Sequence, residues 1–224
     1  AGKLLLGFFE LTARPWGFGG IPDGFAFESL PVDFPHLEPL LETAMARFQG
    51  LESAGIQLFF NGPESFTPDD RYLLGETPEV ADLFVACGFN SIGIQSAGGA
   101  GKVLAEWIVQ GRPPMDLWDV DIRRTFSYQS NEEFLRERTT ETLGLLYDMH
   151  WPHRQYATGR NVFLSPLHQK LLDSGAVMGE VAGFERPNWY AFAGESEYRH
   201  TYGKPNWFEA CQRECELVQN SVGL

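Results

Sequence analysis

The stretch Cys87-Gly88-Phe89-Asn90-Ser91-Ile92-Gly93-Ile94-Gln95-Ser96-Ala97-Gly98-Gly99-Ala100-Gly101-Lys102 is where this sequence most clearly offers chemistry. It lies between a short apolar segment, Leu83–Cys87, and a helical pattern over Gly98–Gln110 that turns Leu104, Trp107 and Ile108 inward and stops at Gly111 and Pro113-Pro114. Glycines between a strand and a helix free backbone N–H groups where a helix N-terminus concentrates positive potential. Such a turn can receive a phosphate, a carboxylate or the electron-rich pyrimidine edge of a flavin; it also serves simple close packing of helix on sheet. The run is not a first-strand dinucleotide fingerprint, because Gly99 and Gly101 are followed by Leu104 where Gly or Ala is required. A Walker loop fails too, since Gly93 and Gly98 lead into Gly99-Ala100 rather than Lys-Ser.

Other reactive side chains carry weaker signals. Glu64, in the loop Asn61-Gly62-Pro63-Glu64-Ser65-Phe66-Thr67-Pro68-Asp69-Asp70, precedes the glycine run and could face a cationic amine, although a turn-capping Glu is the commoner role. His150 and His153 flank Pro152, which breaks any shared helical face, so no metal site is expected there. Cys211 and Cys215, four apart, read as buried thiols on a core face rather than as a redox pair. Asp116, Asp119 and Asp121 lie among Arg112, Arg123 and Arg124, the pattern of a solvated charge cluster.

The elements that must position these groups are legible in outline. Lys3–Thr12 is strand-like, His36–Arg47 is an amphipathic helix, and Gln57–Phe60 is a short buried strand. Asn131–Tyr147 and Leu167–Leu172 have helical patterns. Asn206–Val218 is the best-signalled helix, with Asn206 as cap, Glu209 completing a capping box, and Phe208, Cys211, Cys215 and Val218 on one face. Arg186-Pro187-Asn188-Trp189-Tyr190 and Lys204-Pro205-Asn206-Trp207-Phe208 are near-copies, read as two Pro-Asn turns that each bury an aromatic pair; the first could also pack one module against another. The fold class is α/β, in the form of an α+β fragment.

Composition narrows the function. The 224 residues carry 17 basic and 30 acidic side chains, a net charge of −13, which opposes binding to a phosphate backbone and sets nucleic acid aside as a partner. No apolar run is long enough to span a bilayer. Three cysteines do not pair off, so a disulfide framework is not expected. The acidic excess is concentrated before residue 123, where 17 acidic side chains face 6 basic ones, a break between modules. Both ends of the chain read as cut from something longer.

Several blocks resemble the dimethylglycine/sarcosine dehydrogenase family of flavoproteins. They are Asn61-Gly62-Pro63-Glu64-Ser65-Phe66-Thr67-Pro68-Asp69, Leu74-Gly75-Glu76, Gly88–Gly93 continuing through Leu104-Ala105-Glu106-Trp107-Ile108, Asp119–Arg124, Ser165-Pro166-Leu167-His168 and Gly183–Trp189. The resemblance implies three parts: residues 1–122 as the C-terminal part of an FAD-dependent oxidoreductase domain, 123–184 as a helical and extended connecting domain, and 185–224 as the start of a folate-binding domain like the glycine-cleavage T-protein. It also implies contact of FAD with Phe89, Asn90, Ser91, Ile92, Gly93 and Ile94. The family's N-terminal dinucleotide turn and flavin-linking histidine have no match here, so the chain alone is expected to bind FAD weakly or not at all and to be inactive. No catalytic residue is assigned.

Two function classes follow from the resemblance. One is oxidation of N-methylated glycines such as dimethylglycine or sarcosine, the one-carbon unit passing to tetrahydrofolate, in the mitochondrial matrix of a eukaryote or the cytoplasm of a bacterium. The other is a non-catalytic role, because Gly98–Trp107 is also similar to a block of the pyruvate dehydrogenase phosphatase regulatory subunit. The electron acceptor is left open.

Overall fold

Among the described residues, five α-helices and two small antiparallel hairpins are distributed over two compact units, residues 1–147 and 148–224. The computed structural model describes residues 2–148, 155–192, 197–199 and 201–221. His150 and His153 lie outside the described residues, and no cluster of three metal-ligating side chains occurs among those described.

In the first unit, α1 spans Phe34–Arg47, beginning two residues before the sequence pattern suggests because the Asp33 carboxylate accepts the His36 N–H at 3.2 Å. Strands β1 (Leu73–Glu76) and β2 (Phe84–Cys87) pair antiparallel, Leu73 opposite Cys87 and Glu76 opposite Phe84. Asp121 adds a one-residue parallel bridge to Leu74 on the far side of β1. Helix α2 (Gly93–Gln110) packs on this hairpin through Trp107, and its first residue is Gly93 rather than Gly98. Gly98, Gly99 and Gly101 therefore sit inside the helix and not in the turn that precedes it. Helix α3 (Glu132–Tyr147) is capped by Asn131, whose side-chain oxygen accepts the Phe134 N–H at 3.0 Å.

Two expected strands do not form. Lys3–Thr12 is irregular, with no ladder partner among the described residues. Residues 5–11 alternate in exposure as a strand's would, yet the segment lies along α3, where the Ala13 N–H donates to the Thr140 carbonyl at 3.0 Å. Gln57–Phe60 is also irregular, with Leu58 and Phe60 exposed; a short apolar run becomes a strand only where another backbone edge meets it.

The docking of the N-terminal segment on α3 depends on Gly144. A Cβ there would lie 2.0 Å from the Leu11 carbonyl oxygen. Gly144→Ala should therefore destabilise the unit by about 1–3 kcal/mol, the usual cost of overpacking, and speed proteolysis within residues 2–13. Unaltered cleavage kinetics and an unaltered melting temperature would contradict that docking.

In the second unit, α4 (His168–Asp173) leads into β3 (Ala176–Val181), which pairs antiparallel with β4 (Phe184–Tyr190) across the turn Ala182-Gly183. The first Pro-Asn copy is thus strand rather than turn. Its Pro187 is accommodated where the register shifts: Val177 faces Trp189, Met178 faces Pro187, and Asn188 is the extra residue of a bulge. The second copy does form a turn, with the Phe208 N–H bonded to the Pro205 carbonyl at 3.1 Å, before α5 (Phe208–Asn220).

Asn206 does not cap α5. Its side chain is committed upstream, donating to the Glu197 carbonyl at 2.7 Å and accepting from the Arg199 N–H at 3.3 Å. The buried face of α5 is also rotated from the expected one. Ala210, with Trp207 and Cys211, packs on Val177 and Trp189, whereas Phe208, Cys215 and Val218 are exposed. Burial raises the Cys211 thiol pKa, helped by the Glu214 carboxylate and by Cys215. Cys87, Cys211 and Cys215 are all free thiols.

Candidate functional site

The turn between β2 and α2 is held from beneath by one asparagine. Asn90 is almost wholly buried in a left-handed conformation (φ 48°). Its side-chain oxygen accepts the Thr67 N–H at 2.7 Å, and its amide donates to the Gly88 carbonyl at 2.7 Å and to Thr67 Oγ1 at 3.1 Å. Its own N–H donates to the Ser65 carbonyl at 3.0 Å. The Asn61–Asp70 loop is in this way stitched to the turn. Gly88 (φ 65°) has no room for a Cβ, which would lie 2.6 Å from the Thr67 methyl.

The other side of that loop is clamped by Arg124. Its guanidinium makes a bidentate pair with Asp69 at 2.8 and 2.9 Å and also donates to the carbonyls of Arg71, Tyr72 and Asp121. The Arg124 side chain is only 7% exposed. Asp121 is buried as well, paired with Arg123; burial would raise its pKa, but the Arg123 hydrogen bonds and nearby positive charge hold it below the ordinary value. Two members of the expected solvated cluster are thus part of the interior, because the loop and β1 meet on the backbone that carries them. Asp119 fits the expectation better, exposed and paired with Arg71.

Above the clamp, Phe89 stacks on Tyr72 with ring centroids 4.7 Å apart. Ser91 is also left-handed (φ 64°) and hydrogen-bonds Glu64 through its hydroxyl. The Ile92 N–H closes back on the Phe89 carbonyl at 2.9 Å. Ile94 is fully exposed. The first intrahelical bond of α2 runs from the Ser96 N–H to the Ile92 carbonyl, so the amides of Gly93, Ile94 and Gln95 have no partner within the helix. Three unpaired donors at the positive end of an 18-residue helix suit an electron-rich edge such as a flavin's pyrimidine side. Of the six residues expected to touch FAD, Phe89, Asn90, Ser91 and Ile92 fall on this turn and Gly93 and Ile94 open α2, but the Asn90 side chain is turned inward.

Sequence models for two domain families match: FAD dependent oxidoreductase over residues 1–107 and FAD dependent oxidoreductase central domain over 110–165. The chain belongs to the FAD-dependent oxidoreductase family. Among its relatives is the 4-methylaminobutanoate oxidase (formaldehyde-forming) of Paenarthrobacter nicotinovorans, 45% identical over all of this chain and 27% of the relative. The mitochondrial sarcosine dehydrogenase of Homo sapiens is 39% identical over 89% of the chain and 22% of the relative. The mitochondrial pyruvate dehydrogenase phosphatase regulatory subunit of Mus musculus is 37% identical over 99% and 26%. The chain spans about a quarter of the length of these relatives. No helix among the described residues is long and apolar enough to cross a membrane.

Sequence reading missed one residue of the site. The phenol of Tyr147, the last residue of α3, feels the carboxylates of Glu64 and Asp70. Partial desolvation and those two charges raise the phenol pKa above its ordinary value. Its ring stacks on Phe9 at 4.3 Å. No spacing rule links a helix end to a turn so far upstream.

Proposed function

We propose that this chain forms the pyrimidine side of the flavin site in an FAD-dependent enzyme that oxidises N-methylated amino acids. The observation that carries the reading is the set of unpaired Gly93, Ile94 and Gln95 amides beneath the left-handed Asn90–Ser91 turn. Bound FAD would supply the hydride acceptor for oxidation of the carbon next to the amine nitrogen, to an imine from a secondary amine or an iminium from a tertiary one. The chain's part is to hold donors where negative charge collects on the cofactor, with Asn90 fixing the turn and Phe89 closing its flank on Tyr72. Glu64 stands beside the turn with a carboxylate available to a cationic amine. The substrate class is a secondary or tertiary N-methyl amino acid, as in the names of the oxidase and dehydrogenase relatives. Transfer of the one-carbon unit to tetrahydrofolate is proposed for the part beginning near residue 185, at the start of β4; the earlier boundary is proposed near residue 122. The compartment proposed is the mitochondrial matrix for a eukaryotic source and the cytoplasm for a bacterial one.

The test is anaerobic mixing of the flavin-loaded protein that carries this chain with 4-methylaminobutanoate, sarcosine and dimethylglycine, following loss of flavin absorbance. Reduction by at least one of them is expected, and reduction by none favours the non-catalytic role that the regulatory-subunit relative represents. Gly93→Val should slow reduction about 10- to 100-fold, the worth of one hydrogen bond to a charged group. A Cβ at Gly93 meets only the Phe89 side chain, at 3.4 Å, so the variant is expected to fold. Gly98→Val is the control: the sequence suggested a role in the turn, but Gly98 lies in the helix with open space around it, and no change in rate is expected.

A further inference from the structure

The Arg124 guanidinium has five N–H groups, and each reaches an acceptor. Two go to the Asp69 carboxylate and three to the carbonyls of Arg71, Tyr72 and Asp121. From Asp69 the bonds continue inward. The Thr67 hydroxyl lies 3.2 Å from Asp69 Oδ1 and accepts the Asn90 amide at 3.1 Å, while the Thr67 N–H donates to Asn90 Oδ1 at 2.7 Å. We propose that Arg124 is a positioning residue for the flavin turn, acting through Asp69 and Thr67 on Asn90 and so setting the aim of the Gly93, Ile94 and Gln95 amides. This inference rests on the flavin reading above.

The physical case has three parts. Asn90 and Ser91 both have positive φ, which is uncommon outside glycine and needs the surroundings to hold it. The run that holds Asn90 is buried: Thr67 is 4% exposed and Asn90 1%, so water does not readily replace a lost partner. Arg124 itself leaves from a fixed backbone, the short 3₁₀ turn Ile122–Arg124, where the Asp121 carboxylate accepts the Arg123 N–H. Arg124 lies in the region matched by the central-domain model, whereas Asp69, Thr67 and Asn90 lie in the region matched by the oxidoreductase model. The central domain thus reaches the cofactor turn without touching the cofactor.

The direction of the effect follows from charge. If the loop slackens and the turn relaxes, the three amides lose their aim at the side of the flavin that becomes negative on reduction. The reduced cofactor is then held less well than the oxidised one. Lysine does not replace Arg124, because three donors on one compact ammonium cannot span a carboxylate and three separate carbonyls.

The experiment uses Arg124→Lys, Thr67→Val and their double variant in the flavin-loaded protein that carries this chain. The readouts are the flavin's two-electron midpoint potential, its visible spectrum and the thermal unfolding midpoint. The unfolding midpoint is expected to fall in all three, as it would for any lost buried bond, so the potential decides. Arg124→Lys should weaken the relative hold on reduced flavin about tenfold, a potential lower by about 30 mV. Thr67→Val should shift it in the same direction, and the double variant no further than the larger single, because both break one run of bonds. Arg160→Lys is the control, since Arg160 makes the same kind of fork to a buried carboxylate, Glu185, in the second unit. It should lower the unfolding midpoint and leave the potential unchanged. Where Arg124→Lys yields no folded protein, Asp69→Asn breaks one arm of the fork with Arg124 in place and is read the same way. An unchanged potential in the folded variants, an equal shift in Arg160→Lys, or fully additive shifts would overturn the positioning role and leave the flavin reading standing. A parent protein that takes up no FAD would overturn both.

Discussion

Trp107→Ala should cost the first unit about 3–5 kcal/mol, the range for truncating a large aromatic in a core and more than a third of the stability of a marginal domain. Trp107 is 2% exposed and is the point where α2 meets the β1–β2 hairpin. Its ring lies edge-on to Phe84 at 6.2 Å, with the Arg123 guanidinium 5.2 Å from its centroid. On the hairpin side it lies against Gly75, whose φ of 113° and missing Cβ are both required; a Cβ there would sit 2.4 Å from the ring. Gly75→Ala should therefore destabilise as well, through backbone strain added to overlap. Trp118, 70% exposed, gives the contrast: Trp118→Ala is expected to change stability by no more than about 0.5 kcal/mol. Urea unfolding of the three variants decides the matter. If Trp107→Ala behaves like Trp118→Ala, α2 is not anchored where the structure places it, and the amides at its N-terminus are not fixed for a cofactor.

The helices were legible from the spacing of their apolar residues; α1, α3 and α4 lie within two residues of the pattern. Helix α2 is the instructive displacement. Interior glycines cost about 1 kcal/mol each against alanine, so local propensity moves the expected start past Gly98, Gly99 and Gly101. Burial of Ala100 and Trp107 against the hairpin outweighs that cost, and the helix begins at Gly93. The strands were harder to see. β1 contains Gly75, β3 contains Gly179 and β4 contains Pro187, residues that interrupt a period-two pattern and read as turns. In the structure Gly179 accommodates the Asn188 side chain, which a Cβ would meet at 2.2 Å, and Pro187 sits at the bulge. Lys3–Thr12 has the composition of a strand without a partner edge, a condition that no local pattern encodes. At the candidate site, the turn's place between strand and helix was readable from glycine content. The inward commitment of Asn90 was not, because it depends on how the distant Thr67 loop packs beneath the turn.

Glu185 is expected to control the acid stability of the second unit. Its side chain is 1% exposed on β4, and it accepts a bidentate pair from Arg160 at 2.7 and 2.6 Å and the Asn161 N–H at 2.8 Å. Burial alone would raise its pKa; the Arg160 pair, the Asn161 bond and the positive field of Arg160 and His168 outweigh it, and the pKa lies below the ordinary 4.5. The unfolded chain therefore binds this proton more readily than the folded one. Stability from the pair is fully present above about pH 4.5 and is lost as pH falls through the lower folded value. Glu185→Ala should cost about 3–5 kcal/mol at neutral pH, since it leaves the Arg160 charge without its partner in the interior. Glu185→Gln keeps the shape and should cost less, because the amide oxygen can still accept one bond. The diagnostic is the difference in unfolding free energy between the parent and Glu185→Gln, measured from pH 7 down to pH 3. It should be constant above pH 5 and shrink below 4.5, because protonation of the parent then removes the same charge that the substitution removes. Taking the difference cancels the acid sensitivity of Asp121, whose pKa is also depressed but whose pair with Arg123 is intact in both proteins. A difference that stays flat down to pH 3 would mean that the folded and unfolded chains hold this proton equally, and that the Arg160–Glu185 pair stabilises the hairpin by shape rather than by charge.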